Sequence, residues 1–330
     1  MLDILSSFTT VALGIGAYFA TVGALYGATL LLPIGPRERA QSWVFVGPAL
    51  ALLVIGLLVP ALRTIYLSFF TGPTASKFTG IDNYRIMVTR SDNLIVLRNN
   101  FFWLVGVTSI STILGLGIAR LTDGMRGEST AKALIFMPMA ISLVGAGIIW
   151  KFVYAFTGDR SVDQIGLLNQ MWIWLDPILP GRQDPQQWLL ITPWNTFFLI
   201  AVMIWVQTGF ATVLFSAAIK GVDDTLLEAA RIDGATERQV FFGVVIPSIR
   251  PTIVVVLTTT TIAVLKVFDV VRAMTGGNFE TEVIANDMFD KSFREGNPGY
   301  GAALATVLFL AVIPIVWVNV RSMRVSRENA

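Results

Sequence analysis

The chain has 330 residues, of which 54% are hydrophobic and 14% charged, with a formal net charge of +2. Soluble domains carry roughly a quarter charged residues, so the apolar surplus, gathered in runs near twenty, predicts an all-α polytopic membrane protein. The near-neutral charge points to no nucleic-acid partner. Cysteine and histidine are both absent, which excludes disulfides, thiol chemistry and histidine acid–base catalysis, and leaves no ordinary zinc site. No lysine follows a glycine, so the chain holds no P-loop and binds no ATP by that route.

The first apolar run, about 8–32, is too long for a signal peptide and has no basic residue before it. Gly23 and Gly27 stand four apart, the spacing that lets membrane helices approach closely, although small residues are also simply common in such helices. Pro33, Gly35 and Pro36 predict a break, with Arg37 and Arg39 in a short connection. The second span is expected over 42–67, with Pro48 and Pro60 inside it and Arg63 reaching toward an interface. A polar loop containing Gly80-Ile81-Asp82-Asn83-Tyr84 follows. Arg98-Asn99-Asn100-Phe101-Phe102-Trp103 then opens a third span, 99–120. A basic turn with Arg120, Arg126 and Lys132 leads to a fourth, 133–156, kinked at Pro138. Trp150-Lys151 near its end reads as an interfacial anchor. Residues 157–187 form an exposed connection, with Trp172, Trp174 and Trp188 around it. The fifth, sixth and seventh spans are expected over 190–218, 251–274 and 300–320, followed by a basic tail with Arg321, Arg324 and Arg327.

Between the fifth and sixth spans lies a polar, well-punctuated stretch from Asp223 to Pro251. Asp223, Asp224 and Thr225 offer helix caps, and 226–232 reads as a short helix. Gly234 ends it in the left-handed conformation. A second apolar stretch is cut by Pro247 and Pro251. This helix–Gly–helix element is expected outside the membrane core, shaped to be gripped by a soluble partner; the plain alternative is an interfacial amphipathic helix.

Polar groups at membrane depth are expensive and mark candidate routes. Lys266 and Asp269 are three apart, on one face of a continuous helix, where they either pair or line a path. Thr258 to Thr261 precede them; threonines can also satisfy their own helix. Trp205, Gln207 and Thr208, beside Gly209, combine an aromatic face with amide and hydroxyl groups, a set that suits a sugar.

Glu228-Ala229-Ala230, then Asp233-Gly234-Ala235, Phe241-Phe242 and Ile246-Pro247, resemble the EAA signature of importer-type ABC permeases in its carbohydrate-permease form. The Gly80–Tyr84 loop, the Asn99 opening, Trp150-Lys151 and Thr275-Gly276-Gly277 resemble other stretches of those permeases, with Asn278 replacing the proline that usually closes the last. The resemblance runs from about 42 to 325. It implies a six-helix ABC importer permease core over 42–325, an extra N-terminal helix and linker over 1–41, as in the first permease of maltose-type systems, and a cytoplasmic tail over 326–330. It further implies that about 221–250 is a cytoplasmic coupling loop, in which Glu228, Ala229, Ala230, Asp233, Gly234 and Pro247 dock on an ATP-binding subunit. By position it puts Gln207, Phe210 and Thr259 on the sugar route, joining Trp205, Thr208, Lys266 and Asp269. The implied partners are a second homologous permease, two ATP-binding subunits, an extracytoplasmic sugar-binding protein, the sugar and membrane lipid. This chain itself would bind no cofactor, ATP and Mg belonging to the ATP-binding subunits.

With the 221–250 loop inside, the inner loops hold Arg37, Arg39, Arg120, Arg126, Lys132, Lys220, Arg231, Arg238, Arg250, Arg321, Arg324 and Arg327. The outer loops hold fewer: Lys77, Arg85, Arg90, Arg98, Arg160, Arg182, Lys291 and Arg294. That bias orients a multi-pass cell-membrane protein with its N-terminus outside and its C-terminus cytoplasmic. A membrane enzyme or an autonomous secondary transporter remains the competing class. An enzyme would have only Lys266 and Asp269 to work with, and a secondary transporter commonly shows more buried carboxylates and repeated broken helices.

Overall fold

The computed structural model describes residues 2–31, 33–159, 162–176, 178–179 and 183–328, with the backbone alone at 2–8, 34–35 and 322–328. Arg160 and Arg182 lie outside the described residues, as do the side chains of Arg324 and Arg327. The chain divides into two units, Met1–Tyr66 and Leu67–Ala330.

The first unit is helical. Helix α1 (Leu2–Thr29) packs on α2 (Ile34–Leu53), with the rings of Tyr26 and Phe45 5.5 Å apart. Gly35 and Pro36 do not extend the break, as expected from sequence, but sit in the first turn of α2, so Arg37 and Arg39 are helical. A first-turn proline loses nothing, because its missing N–H would have no partner there anyway. A π turn over Val54–Leu58 joins α2 to α3 (Val59–Leu67). Its cause is Pro60: with no N–H for the carbonyl four residues back, the ladder shifts, and Val59 N–H reaches Val54 O instead. Leu13, Leu31 and Ile55 are largely exposed, a surface that lipid tails satisfy and water does not.

The second unit opens with a two-residue ladder, β1 (Phe70–Thr71) and β2 (Lys77–Phe78), paired antiparallel. Helix α4 (Asp82–Thr89) follows, and the Asn83 amide donates to Ser68 O and Phe70 O, both at 2.8 Å, tying the loop down. Helix α5 (Ser91–Thr122) packs along α9 (Asn195–Lys220), the closest helix pair in the unit. A Cβ on Gly115 would overlap Ala211 Cβ, and one on Gly209 would overlap the Ile135 carbonyl, so glycine is what permits both approaches.

Two expected spans are not single helices. The fourth is α6 (Glu128–Phe136), a 3-10 turn Met137–Ala140 and α7 (Leu143–Val153), bent by 103°. Pro138 removes a helix donor, and Ser142 starts a new helix by accepting from the Gly145 N–H. After the short α8 (Leu167–Trp174) and α9 come α10 (Asp224–Ile232), α11 (Glu237–Val240), a π turn Phe241–Val245 and α12 (Ile246–Ser248). Helix α13 (Arg250–Leu265) continues at a 67° bend and stops. Phe268 leaves helical geometry, with φ −138° and ψ −55°, and α14 (Asp269–Met274) begins anew. Lys266 and Asp269 therefore do not share a helical face, and no ion pair joins them. Helices α15 (Ile284–Phe289) and α16 (Pro298–Glu328) close the chain. Among the described residues, five helices are long and apolar enough to cross a membrane, and counting each bent pair, 128–153 and 237–265, as one passage gives up to seven.

Three buried clusters hold the second unit. Trp103, Val107, Leu199, Met203, Val270 and Val271 form the central one, Phe215 with Ala119, Ile219 and Val245 a second, and Leu304 with Met87, Ile284 and Tyr300 a third.

Candidate functional site: the 221–250 hairpin and the interior path

Helix α10 starts where Asp223 Oδ1 accepts from Thr225 N–H at 2.9 Å and from its hydroxyl at 2.8 Å, contacts that hold the Asp223 carboxyl below its usual range. It ends at Gly234, whose φ is +84° and whose surroundings are open. Thr236 and Gln239 then form a reciprocal capping box for α11. No residue of α10 is buried, and Ile232 is 85% exposed. Glu228, Ala229, Asp233 and Gly234 are exposed, Ala230 is half-buried and Pro247 is exposed.

An element so exposed needs anchors to keep its shape. Leu227 and Phe241 tuck against the Phe215–Ile219–Val245 cluster. Glu237 accepts from Arg231 Nε at 2.8 Å and from Arg120 Nη2 at 3.3 Å, joining α10 and α11 to the end of α5. The Arg120 guanidinium also lies 5.7 Å from the Phe241 ring centre. Beside it, Glu128 binds Lys132 and, at 2.6 Å, Lys220, while Lys132 also donates to Ser216. The hairpin is thus fastened to α5 by the Arg120–Glu237 pair and to α5 and α9 by the Phe215–Ile219–Val245 cluster, beside a charge network that joins α6 to α9, while its tip stays uncovered. Sequence reading missed these anchors, because Arg120 and Glu237 are far apart in the chain and each looks like a solvated charge alone.

The interior candidates are spread out. Trp205 packs in the central cluster, its ring 5.7 Å from Trp150 in an edge-on arrangement, so Trp150, expected as an interfacial anchor, serves packing. Gln207 and Phe210 are half-buried, and Thr208 is buried with no partner for its hydroxyl. Thr259 is exposed, whereas Thr258 and Thr260 point inward; Thr258 accepts from Asn319 Nδ2 at 2.7 Å. Lys266 alone of these lines a cavity of about 540 Å³, together with Phe268, Met288, Phe289, Leu308 and Phe309. Asp269 starts α14, which packs on α7.

The opposite end of the bundle is held differently. Asn99 Nδ2 donates to Glu280 O and Glu282 O at 2.6 and 2.9 Å, and Asn195 Nδ2 to Phe279 O at 2.6 Å. These bonds clasp the turn after Thr275-Gly276-Gly277, where Phe279 and Glu280 have positive φ. Arg272 bridges Asp290 at 2.9 Å and lies 5.0 Å from the Phe289 ring centre. Two carboxyls in this region are raised by burial, Glu282 to about 7 and Asp287 to about 6.

This arrangement of bent and straight helices around a protruding hairpin is an ABC importer permease fold. A bacterial alginate ABC transporter, solved with an alginate pentasaccharide-bound periplasmic protein, shares it at a TM-score of 0.70 and 19% identity, covering 88% of this chain and 96% of that one. Residues 111–322 match the family described as binding-protein-dependent transport system inner membrane component, and the chain belongs to that family. It is 44% identical over 298 residues to an alpha-glucoside transport system permease protein of Rhizobium meliloti, covering 90% of this chain and 86% of that protein. It is 47% identical over 285 residues to an osmoprotective compounds uptake permease protein of Synechocystis, covering 86% and 99%. The chain is a multi-pass permease subunit that forms part of a translocation pathway.

Proposed function

We propose that this permease imports a sugar or glycoside and is driven by ATP-binding subunits that grip the 221–250 hairpin from the cytoplasm. One observation carries the coupling reading: α10 buries nothing of its own, yet its root is anchored on α5 and α9. A helix anchored at the base and bare at the tip transmits force to the bundle when a partner clasps it. Glu228 offers a carboxylate to that partner, Ala229 and Ala230 allow close approach, Asp233 and Gly234 shape the helix end, and Pro247 ends the second arm. The substrate class follows from the names of the relatives, an alpha-glucoside permease among them. Lys266 and the phenylalanines around it supply a donor and apolar faces of the kind a sugar needs. Trp205, Gln207, Thr208, Phe210, Thr259 and Asp269 complete the proposed route in other conformations of the transporter.

The complete importer pairs this chain with a second, homologous permease, two ATP-binding subunits and an extracytoplasmic binding protein. ATP and Mg are held by the ATP-binding subunits, and lipid surrounds the spans. The N-terminus lies outside and the C-terminus in the cytoplasm, with the extra helix over 1–41 and the core over 42–325. Reconstitution of the assembled transporter in vesicles with a sugar-loaded binding protein tests this. Uptake that requires ATP, and that stops when the ATP-binding subunits are withheld, is the expected result; uptake by this chain alone without ATP overturns it.

A further inference from the structure

At the end of the bundle opposite the hairpin, α4, the start of α5, the 280–297 segment and the start of α16 enclose a cavity of about 420 Å³. Its lining is acidic. Asp92, Glu280, Glu282, Asp287 and Glu295 face it, against Arg90 and Lys291. Lys291 is engaged by Glu295 at 2.6 Å and by Asp287 at 3.9 Å, and Glu280 is taken by Arg98 at 3.5 Å. Among the described residues no basic side chain opposes Glu282, and its carboxylate accepts only from the Asn286 amide and the Val283 N–H.

A second, independent observation points into the same space. Tyr300 lines the cavity and is only 4% exposed, yet its hydroxyl has no hydrogen-bond partner. Tyr300 shares that wall with Asp287 and Arg90. A buried hydroxyl without a partner costs stability and is rare in folded proteins unless something else satisfies it.

We propose that this cavity is a binding site for one organic cation that carries N–H donors, a guanidinium or primary ammonium group, seated between Glu282, Asp287 and the Tyr300 hydroxyl. The chemistry selects that class. A neutral polyol would leave the desolvated Glu282 carboxylate without a counter-charge. A metal ion needs converging ligands, and among the described residues no group of three or more acidic side chains is placed to hold one. A planar guanidinium, by contrast, donates to two carboxylates and to a hydroxyl oxygen at once, and the volume leaves space for bridging waters. The cation can be a free solute or a lysine or arginine tip presented by a soluble protein at this face. The site stands on its own geometry and does not depend on the coupling role of the hairpin.

The full-length chain, purified with the subunits it assembles with and held in lipid nanodiscs, is titrated calorimetrically with ethylguanidinium chloride at fixed ionic strength, with tetramethylammonium chloride as the control. Saturable binding of ethylguanidinium at least tenfold tighter than tetramethylammonium is expected. Glu282→Gln should weaken it at least tenfold and Tyr300→Phe about threefold, each variant retaining subunit assembly. Binding should also weaken tenfold or more between pH 8 and pH 5 in the unaltered protein, as Glu282 and Asp287 take up protons; Asp92, Glu280 and Glu295 contribute to the same loss, and Arg90 and Lys291 keep their charge. That arm stands even where a variant fails to fold. Equal binding of the two cations, or binding indifferent both to pH and to Glu282→Gln, overturns the proposal. A final arm separates the sources and alone rests on the proposed binding-protein partner: ethylguanidinium that weakens docking of that protein indicates a protein side chain, and unchanged docking a free solute.

Discussion

The two ends of the bundle formed by α5 and α9 are built on different chemistry. The hairpin end is fastened by charged side chains that stay in contact with water: Arg120 and Arg231 on Glu237, Lys220 on Glu128. The opposite end is fastened by buried amides that capture backbone carbonyls: Asn99 on Glu280 and Glu282, Asn195 on Phe279, Asn169 on Ala155 and Gln186. Exposed ion pairs are weak, screened by salt and easily re-formed, whereas a buried amide–carbonyl pair is costly to break because both groups then lie unsatisfied. The contrast teaches which end can yield. Ion pairs let the hairpin end yield, and the amide clasps keep the far end as a fixed frame.

The largest disruption should come from the helix contact shared by both ends. Gly115→Val places side-chain atoms on Ala211, and prying α5 from α9 should cost about 3 kcal/mol or more; the expected outcome is loss of the folded subunit, read as loss of the monodisperse peak in detergent. Next, Asn99→Ala strips two buried carbonyls of their donor and should destabilise the protein by about 2–4 kcal/mol. A thermal midpoint within a degree of the unaltered protein would show that the far end is not held this way.

Glu282 sharpens the comparison through pH. Burial raises its carboxyl from 4.5 to about 7, so folding favours the protonated form. The stability it contributes is fully present below about pH 4.5 and is lost as pH rises through 7, on the order of 3 kcal/mol in all. Glu282→Gln should flatten the stability curve across that window relative to the unaltered protein, and parallel curves would argue against it. At the hairpin, Gly234→Asp should leave insertion and fold intact, since the site is open, but the positive φ and the added charge should reduce ATP-binding-subunit retention and coupled ATPase about tenfold. Subunit retention and stimulation equal to the unaltered complex would remove the hairpin from coupling. The smallest effect is expected from Glu237→Gln, a twofold to threefold loss of coupled ATPase that added salt reproduces in the unaltered transporter. Asn195→Ala under the same salt titration should show no such convergence.

Local chemistry was enough to settle much of this protein. The apolar runs located the five long helices that can cross a membrane, because crossing demands some twenty apolar residues whatever surrounds them. Asp223 as cap and Gly234 with positive φ were legible for the same reason: capping and left-handed backbone are decided within a few residues. The spacing of Glu228, Gly234 and Pro247 carried the resemblance to a permease family that the match over 111–322 bears out. The tertiary structure alone decided how the broken helices run. Pro138 signalled a kink, but a bend of 103° depends on α7 packing against α14. No proline or glycine announces the stop at Leu265, and the spacing of Val264, Val267, Val270 and Val271, all in the central cluster, would equally suit one continuous helix, so the break is not legible in the sequence. That stop parts Lys266 from Asp269, and it is why their spacing of three misled. The cavity of Glu282, Asp287 and Tyr300 was hidden for a related reason. Its carboxylates resemble solvated loop charges in sequence, and only the folding of α4, α5 and α16 around them takes away their water.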